Sequence, residues 1–552
     1  MIRKLKLKLK HVMSILVIFS TIGIGVFFLF FKTLHIQIKG NLYEENVELQ
    51  ANDVKLEKIK SGTETFVKAK DYSTTYKLSS SRLSRTYGKL TVTVRKLDNN
   101  DIFVFTKFQN QTKRPIIIDL SFPFEQDFTN YEVTRFHSEK IKHEHDTTLG
   151  VDPTSTPHGL IELKGKKGYA NLVVSKNYNS AELTKEYNQK QKSRLRELIA
   201  ENDGTEITKK GDYILLHMPH FAKRHSLSES WILYSSQPLF NKKENFKEWE
   251  KHTLKEYKKI NKWYTAEGPY GKLPWSIEPG TKLGYGRYFA LVHDRRHVDH
   301  YEKTKERYFY DFIVNSATNL LVYDSQLDKP IQTEITSTWL KDNYGIIAPY
   351  YDTRFNEYLA IHLKRTSKLL DVPEYENMSL FYADYLLGQV KKKNFIKTDN
   401  GYIICDFYGS TQKKRTHASL NHALGEMNFL LDSYQKTRKK EYLETALHIK
   451  KGIEDIGDKW IKDNKDLWYQ LNPDFTFHGK DYPLLTLEDL LKAQENFEKT
   501  GIKRSPTFDQ LIKSKTQYLV NDKIEITRKV ATSLQQQEFG YLVKDYTNIS
   551  DY

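Results

Sequence analysis

Three tyrosines in the C-terminal third of the chain, Tyr408, Tyr469 and Tyr482, each stand beside a polar or acidic neighbour in a connector between helical stretches. A tyrosine ring can stack on the apolar C–H face of a sugar while its hydroxyl hydrogen-bonds. Polar aromatics bunched in loops at the ends of paired helices point to a ligand cleft more than to a core. Tyrosine is prominent throughout, with 36 in 552 residues, which suits surfaces that contact carbohydrate.

The elements that must position these loops are helices. Leu420, Leu424, Met427, Leu431 and Tyr434 fall three to four apart, and Leu443 and Leu447 fall four apart with Ile453 beyond them, giving each helix one apolar stripe and one wet face. Phe355, Leu359, Leu363, Thr366 and Leu370 form another stripe, ended by Asp371-Val-Pro373. Phe381, Tyr382, Tyr385 and Leu386 begin the next, and Leu487, Leu490, Leu491 and Phe497 give one more. Helix pairs joined by short polar connectors predict an (α/α) toroid or an α-solenoid over residues 241–552.

Residues 32–240 read as strands. Leu90-Thr-Val-Thr-Val-Arg alternates with period two, Asp98-Asn-Asn-Asp101 makes a turn, and Ile102-Phe-Val-Phe-Thr-Lys-Phe108 returns. Further runs at 114–120, 169–174, 213–218 and 231–234 predict a β-sandwich or barrel-like domain, with one charged helical insertion over 180–201. The Gly-, Pro- and aromatic-rich stretch 263–289 reads as an interdomain loop able to line a cleft with Trp275, Tyr285 and Arg287.

Residues 12–31 carry no charge and are long enough to cross a bilayer as one helix. The basic residues before them place a cytoplasmic tail at 1–11 and everything after Phe31 outside, as a single-pass anchor in the cell membrane. The expected fold class is therefore α+β and multidomain: an N-terminal transmembrane helix, a β-sandwich-like domain and a C-terminal (α/α) toroid.

Cys405 is the single cysteine, so no intrachain disulfide forms and no cysteine-based metal site exists. His217 and His220, and His143 and His145, lack a third ligand at a recognised spacing. In HDRRHVDH an Asp stands where a metalloprotease helix needs Glu. Gly284-Tyr-Gly286 lacks the third glycine of a dinucleotide loop, so neither a metal nor a cofactor is expected. The net charge of +16 favours anionic partners such as acidic polysaccharide, wall polymer or lipid headgroups; no nucleic acid partner is expected.

Residues 350–519 resemble the C-terminal domain of the D-glucuronyl C5-epimerases, which act on heparosan-like polysaccharides. The likeness rests on Asp406-Phe-Tyr408 ahead of Ser419-Leu-Asn421, on Tyr469-Gln-Leu-Asn-Pro473, and on Asp481-Tyr482-Pro483 opening the next helix. It implies a β domain followed by an (α/α) toroid in a membrane-anchored protein. It also implies proton-transfer or sugar-contact roles for Tyr408, Tyr469 and Tyr482. C5 epimerisation removes a proton α to a carboxylate and returns one on the opposite face, so it needs two proton-transfer groups and a cation. The chain departs from the family pattern at Asn472 (an Arg there), at Pro483 and Thr486 (both His) and at Phe407 (Glu). Asp406, Arg415 and Arg354 could compensate, with Asn421 and Asn472 as further substrate contacts. Two alternatives stay open: a β-elimination lyase, which begins with the same proton abstraction, and a non-catalytic surface protein that binds or assembles glycans.

Overall fold

Period-two alternation builds the first half of the molecule. In a computed structural model, residues 33–550 are described apart from 41–46, 83–84, 125–127, 136–144, 147–149, 152–158, 166–167, 204, 212, 256–261, 288–294 and 325–328. Strands β1 (Val54–Thr65), β2 (Ala69–Ser80), β3 (Thr86–Leu97) and β4 (Ile102–Asn110) form an antiparallel meander, and β5 (Leu227–Ser235) pairs with β4. They belong to a 13-stranded sheet; a second, five-stranded sheet includes Ile116–Phe124. On β3, Leu90, Val92 and Val94 enter a core shared with Ile116, Ile118, Leu120 and Phe122 of the second sheet. The opposite face carries Thr91, Thr93 and Arg95 and turns toward the helices.

Those helices form two curved layers. The inner layer runs α1 (Arg307–Tyr323), α2 (Thr353–Leu370), α3 (Leu420–Thr437), α4 (Leu485–Thr500) and α5 (Arg528–Gln536), each packed on the next. Outside them lie Arg295–Thr304 against α1, Phe381–Lys391 and Lys440–Ile456 against α3, and Pro506–Asn521 against α4. This is the layered order of an (α/α) toroid. Sequence decides which layer a helix joins: α3 is buried without a break from Leu420 to Leu431, whereas Lys440–Ile456 buries only one stripe.

Sheet and helices share one core. Phe103 and Trp231 meet Phe312 of α1 with ring centroids 5.4 and 5.7 Å apart. Arg95, fully buried, donates two hydrogen bonds of 2.8 Å to Asp71 and one of 2.6 Å to each of Asn315 and Asn319 on α1.

Three sequence expectations are corrected. Among the described residues no helix is long and apolar enough to cross a membrane, so the transmembrane helix of the expected fold class is not found among them; the span expected at 12–31 lies outside them. Residues 180–201 form no helix but an antiparallel hairpin, Asn177–Glu186 with Lys192–Asn202. Its charges, which suggested a helix surface, face one another as the cross-strand pairs Glu182–Arg196 and Glu186–Lys192, with Leu183 opposite Leu195. The stretch at 263–289 is likewise not a loop: Lys262–Thr265, Gly268–Lys272 and Gly284–Gly286 extend the large sheet beyond that hairpin.

Replacing Arg95 with Met keeps the apolar stem but strands Asp71, buried and unpaired. A loss of about 3–5 kcal/mol is expected, read as a lower urea midpoint, with strand and helix signals melting together. Helical signal persisting after the sheet has melted would show that the two parts do not depend on this tie.

Candidate active site

The first turns of α2, α3 and α4 meet at one guanidinium. Arg354, 6% exposed, bonds Glu357 one turn along α2 at 2.6 Å, the backbone oxygen of Asn421 on α3 at 3.2 Å, and Asp489 on α4 at 2.9 Å. Gly425 makes the room: a Cβ there would lie 2.1 Å from the Arg354 Nη1. An aspartate stands at each of these three helix starts, where the unpaired backbone N–H groups favour negative charge. Asp352 caps α2, accepting from the Phe355 N–H at 3.0 Å. Asp406 accepts from the N–H and hydroxyl of Ser419, the residue that begins α3, at 2.7 and 2.5 Å. Asp481 accepts from Thr486 at 2.6 Å and from the fully buried Lys515 at 2.7 Å; the same lysine reaches Asp466 at 2.6 Å.

Around Asp406 a polar cluster lies between two tyrosines. On one side His417 Nε2 lies 3.2 Å from Asp406 Oδ2, and His417 Nδ1 lies 3.1 Å from the Tyr344 hydroxyl. A carboxylate only accepts, so Nε2 carries the hydrogen and Nδ1 accepts from Tyr344. On the other side the Ser419 hydroxyl donates to Asp406, and the ring of Tyr469 stands 6.3 Å from that of His417. Tyr482 packs edge-on against Tyr469 at 5.8 Å and is 53% exposed. Trp339, 40% exposed, stacks on His417 at 5.8 Å.

Burial alone would push the Asp406 carboxyl up, but His422, His417 and the Ser419 hydroxyl outweigh it and hold it below its ordinary value. Burial, with the Asp406 charge nearby, pushes the Tyr469 hydroxyl well up, and burial also raises Tyr344. Glu426, wholly buried one turn beyond His422, is raised well above the carboxylate range by burial and by Asp406 and Glu357. Burial lowers His422 to about 4, and burial together with Asp406 raises Asp352 to about 7. Near neutral pH the pocket floor therefore holds Asp406 ionised, with Glu426 protonated and His422 neutral beside it.

Of the residues singled out in the sequence, Asp406, Tyr469 and Tyr482 come together, with Asn421 and Arg354 beneath them. Arg354 spends its charge on Glu357 and Asp489, and so serves as the pin of the helix starts. Asn421 is 1% exposed, and its Oδ1 has no hydrogen-bond partner among the described residues. Tyr408 points elsewhere: Phe407 faces Trp339 and His417, so strand alternation turns Tyr408 away, toward Tyr351 and under Lys392. Asn472 sits in the turn after Trp468–Leu471, bonded to Thr476 and Gln470. Arg415 is exposed on the loop 410–415, beside Lys413 and Lys414; the Lys414 ammonium lies 5.6 Å from the Tyr344 ring. Tyr344, Trp339, His417, His422 and Glu426 were not anticipated. His417 and His422 do flank Ser419-Leu-Asn421, and Glu426 follows His422 by four, which puts them at one helix start.

No model of a known protein family matches the chain, and no characterised protein sequence matches it. Solved structures similar to it include the α-1,6-mannanase GH76A of Salegentibacter sp. HEL1_6, at 14% identity over 44% of this chain and 63% of that one, with a TM-score of 0.31. Cellobiose 2-epimerase from Bacillus thermoamylovorans B4167 is 14% identical over 50% of this chain and 70% of that one, with a TM-score of 0.34. D-Mannose isomerase is 12% identical over 47% and 77%, with a TM-score of 0.27. Across its three structures the mannanase is spanned over only 60–63% of its length.

Asp352 gives this region a pH signature. Between the usual carboxylate range of an unfolded chain and about 7, the folded protein keeps a proton on Asp352 that the unfolded chain has lost, so this group makes stability fall as pH rises through that window. Asn caps a helix as well as Asp does and does not titrate. Asp352→Asn should therefore gain on the parent by roughly 3–4 kcal/mol between pH 4 and 7.5, as measured by urea unfolding. A difference that stays flat with pH would remove the assignment.

Proposed function

We propose that the protein acts on uronate units of an acidic polysaccharide as a C5-epimerase-type isomerase, moving the C5 proton from one face of the sugar to the other. The observation that carries this reading is the polar cluster at Asp406: its buried carboxylate accepts from Ser419 and lies 3.2 Å from His417, His417 bonds the Tyr344 hydroxyl at 3.1 Å, and the Tyr469 ring stands 6.3 Å from that of His417. His417 accepts from Tyr344, so Tyr344 can pass its proton inward as it takes one from C5. Asp406 stabilises the imidazolium that forms. Tyr469 gives its hydroxyl proton to the other face and is reprotonated from solvent between turnovers, as His417 gives up its extra proton. With Arg354 engaged below, the cations available to the sugar carboxylate are Lys413, Lys414 and Arg415 on the exposed rim. Trp339, Tyr482 and Phe475, at 40, 53 and 49% exposed, offer aromatic faces around the same mouth for neighbouring sugar rings.

A second reading, a glycan-binding protein without catalysis, is favoured by one feature. Asn472, where the resembling enzymes carry Arg, is committed to its own turn through Thr476 and Gln470.

Incubation with heparosan in deuterated water separates the readings. Deuterium entering C5 without ultraviolet-absorbing chain ends is the expected result, and Tyr469→Phe and His417→Gln should each slow it by roughly 10² while substrate still binds. Unsaturated ends would make the protein a lyase, and binding with neither product would make it a binder. Tyr482→Phe keeps the exposed ring, so exchange at the parental rate would leave Tyr482 a sugar contact and no proton donor.

A further inference from the structure

The helix-facing side of the large sheet is only partly covered, and the uncovered part is a groove. Its floor follows from register. Across five adjacent strands Lys60 pairs with Thr75, Thr75 with Thr91, Thr91 with Lys107, and Lys107 with Glu229, so β1 to β5 present one unbroken polar row. The next row runs Gly62, Ser73, Thr93 and Phe105. Hydroxyls face each other within this floor, Ser73 to Thr93 at 2.8 Å and Thr75 to Thr91 at 3.0 Å. The hairpin formed by Lys262–Thr265 and Gly268–Lys272 walls one end with Tyr264 and Glu267, and Val322 of α1 walls a side, leaving an open groove of about 350 Å³. Beyond Glu267 a second cavity of about 320 Å³ continues between Arg196 and Arg287. No residue of the Asp406 cluster, Tyr344 and Tyr469 included, lines either one.

The chemistry of the walls selects the ligand. Three ion pairs are already made, Asp71 with Arg95, Glu229 with Arg196, and Glu267 with Lys107 at 2.8 Å, and the remaining lining charges, Lys60 and Glu64 on β1, are one of each sign. Fixed charge therefore gives an anion no advantage here, in contrast to the lysine-rich rim of the toroid mouth. What remains is a set of hydroxyls that both donate and accept, with Phe105 and Tyr264 as apolar patches among them. A solvated sheet face is often polar, but it is flat and exposed. Here Thr93 is only 5% exposed, at the bottom of a groove walled by Tyr264, Glu267 and Val322. We propose that this groove binds a neutral, hydroxyl-rich saccharide, at a site separate from the toroid mouth and independent of the reaction proposed there.

The test is calorimetric titration of the purified full chain with cellohexaose, mannohexaose and maltohexaose, each also competed with a heparosan hexasaccharide. At least one neutral hexaose should bind, and the acidic one should not displace it. Thr91→Trp, which fills the centre of the floor, should weaken binding at least tenfold. The double substitution Thr75→Val with Thr91→Val keeps volume and removes both hydroxyls; it should weaken binding by about tenfold, and it serves if the tryptophan variant does not fold. The proposal fails if none of the three neutral sugars binds the parent, if both hydroxyls can go without effect, or if the acidic sugar displaces the neutral one. Deuterium exchange into heparosan, measured on the same variants, should stay at the parental level, so failure here and failure of the isomerase reading remain distinct.

Discussion

The geometry of the C-terminal half depends on Arg354. Three helices begin around it, and a helix start is a place where backbone N–H groups lack partners and fixed charge matters. By joining Glu357, Asp489 and the Asn421 carbonyl, the guanidinium converts three separate helix starts into one rigid rim. A buried arginine is costly unless every charge around it is matched, and here two carboxylates match it. Gly425 follows from the same constraint, because any side chain at that point would occupy the space of the guanidinium. The loops that rise from this rim carry His417, Ser419, Tyr469 and Tyr482, so the accuracy of the mouth derives from the pin below it.

Charge beneath the rim is rationed. Glu426 and His422 lie one turn apart on α3, both wholly buried, and burial drives each toward its neutral form. Asp406 is equally buried yet remains ionised, because histidines and the Ser419 donors surround it. That leaves Asp406 as an ionised carboxylate at the centre of a polar network that contains His417, bonded to Tyr344, and lies beside Tyr469. Such an arrangement is of more use for moving protons than for holding a helix in place, since a neutral residue would cap α3 at lower cost.

Much of this was legible in the sequence, for identifiable reasons. The stripe Leu420 to Tyr434 and the alternation at Leu90–Arg95 are dense in side chains that bury, so local periodicity and tertiary packing agree there. The hairpin at 177–202 was misread because Lys, Glu and Arg favour helices in isolation, while their pairing across two strands is visible only in the fold. The tyrosines divide in the same way. Tyr469 and Tyr482 sit on connectors that converge, but Tyr408 lies in a three-residue strand whose alternation, read one residue over, favours Phe407 for the mouth. His417 is distant in sequence from Tyr344, and no spacing announces their contact.

The strand β3 shows how far a single periodicity can reach. Its even positions, Leu90, Val92 and Val94, enter the core between the two sheets. Its odd positions do two different things along one face. Arg95 lies under α1 and ties the strands to the helices, while Thr93 and Thr91, one and two steps back, lie where α1 no longer covers the sheet. A strand that only had to bury two faces would read apolar throughout, as strands covered on both sides do. The hydroxyls persist because the helical layer is narrower than the sheet it packs on. The uncovered margin must be polar enough to meet water, and its pairing across five strands also makes it regular enough to meet a ring of hydroxyls.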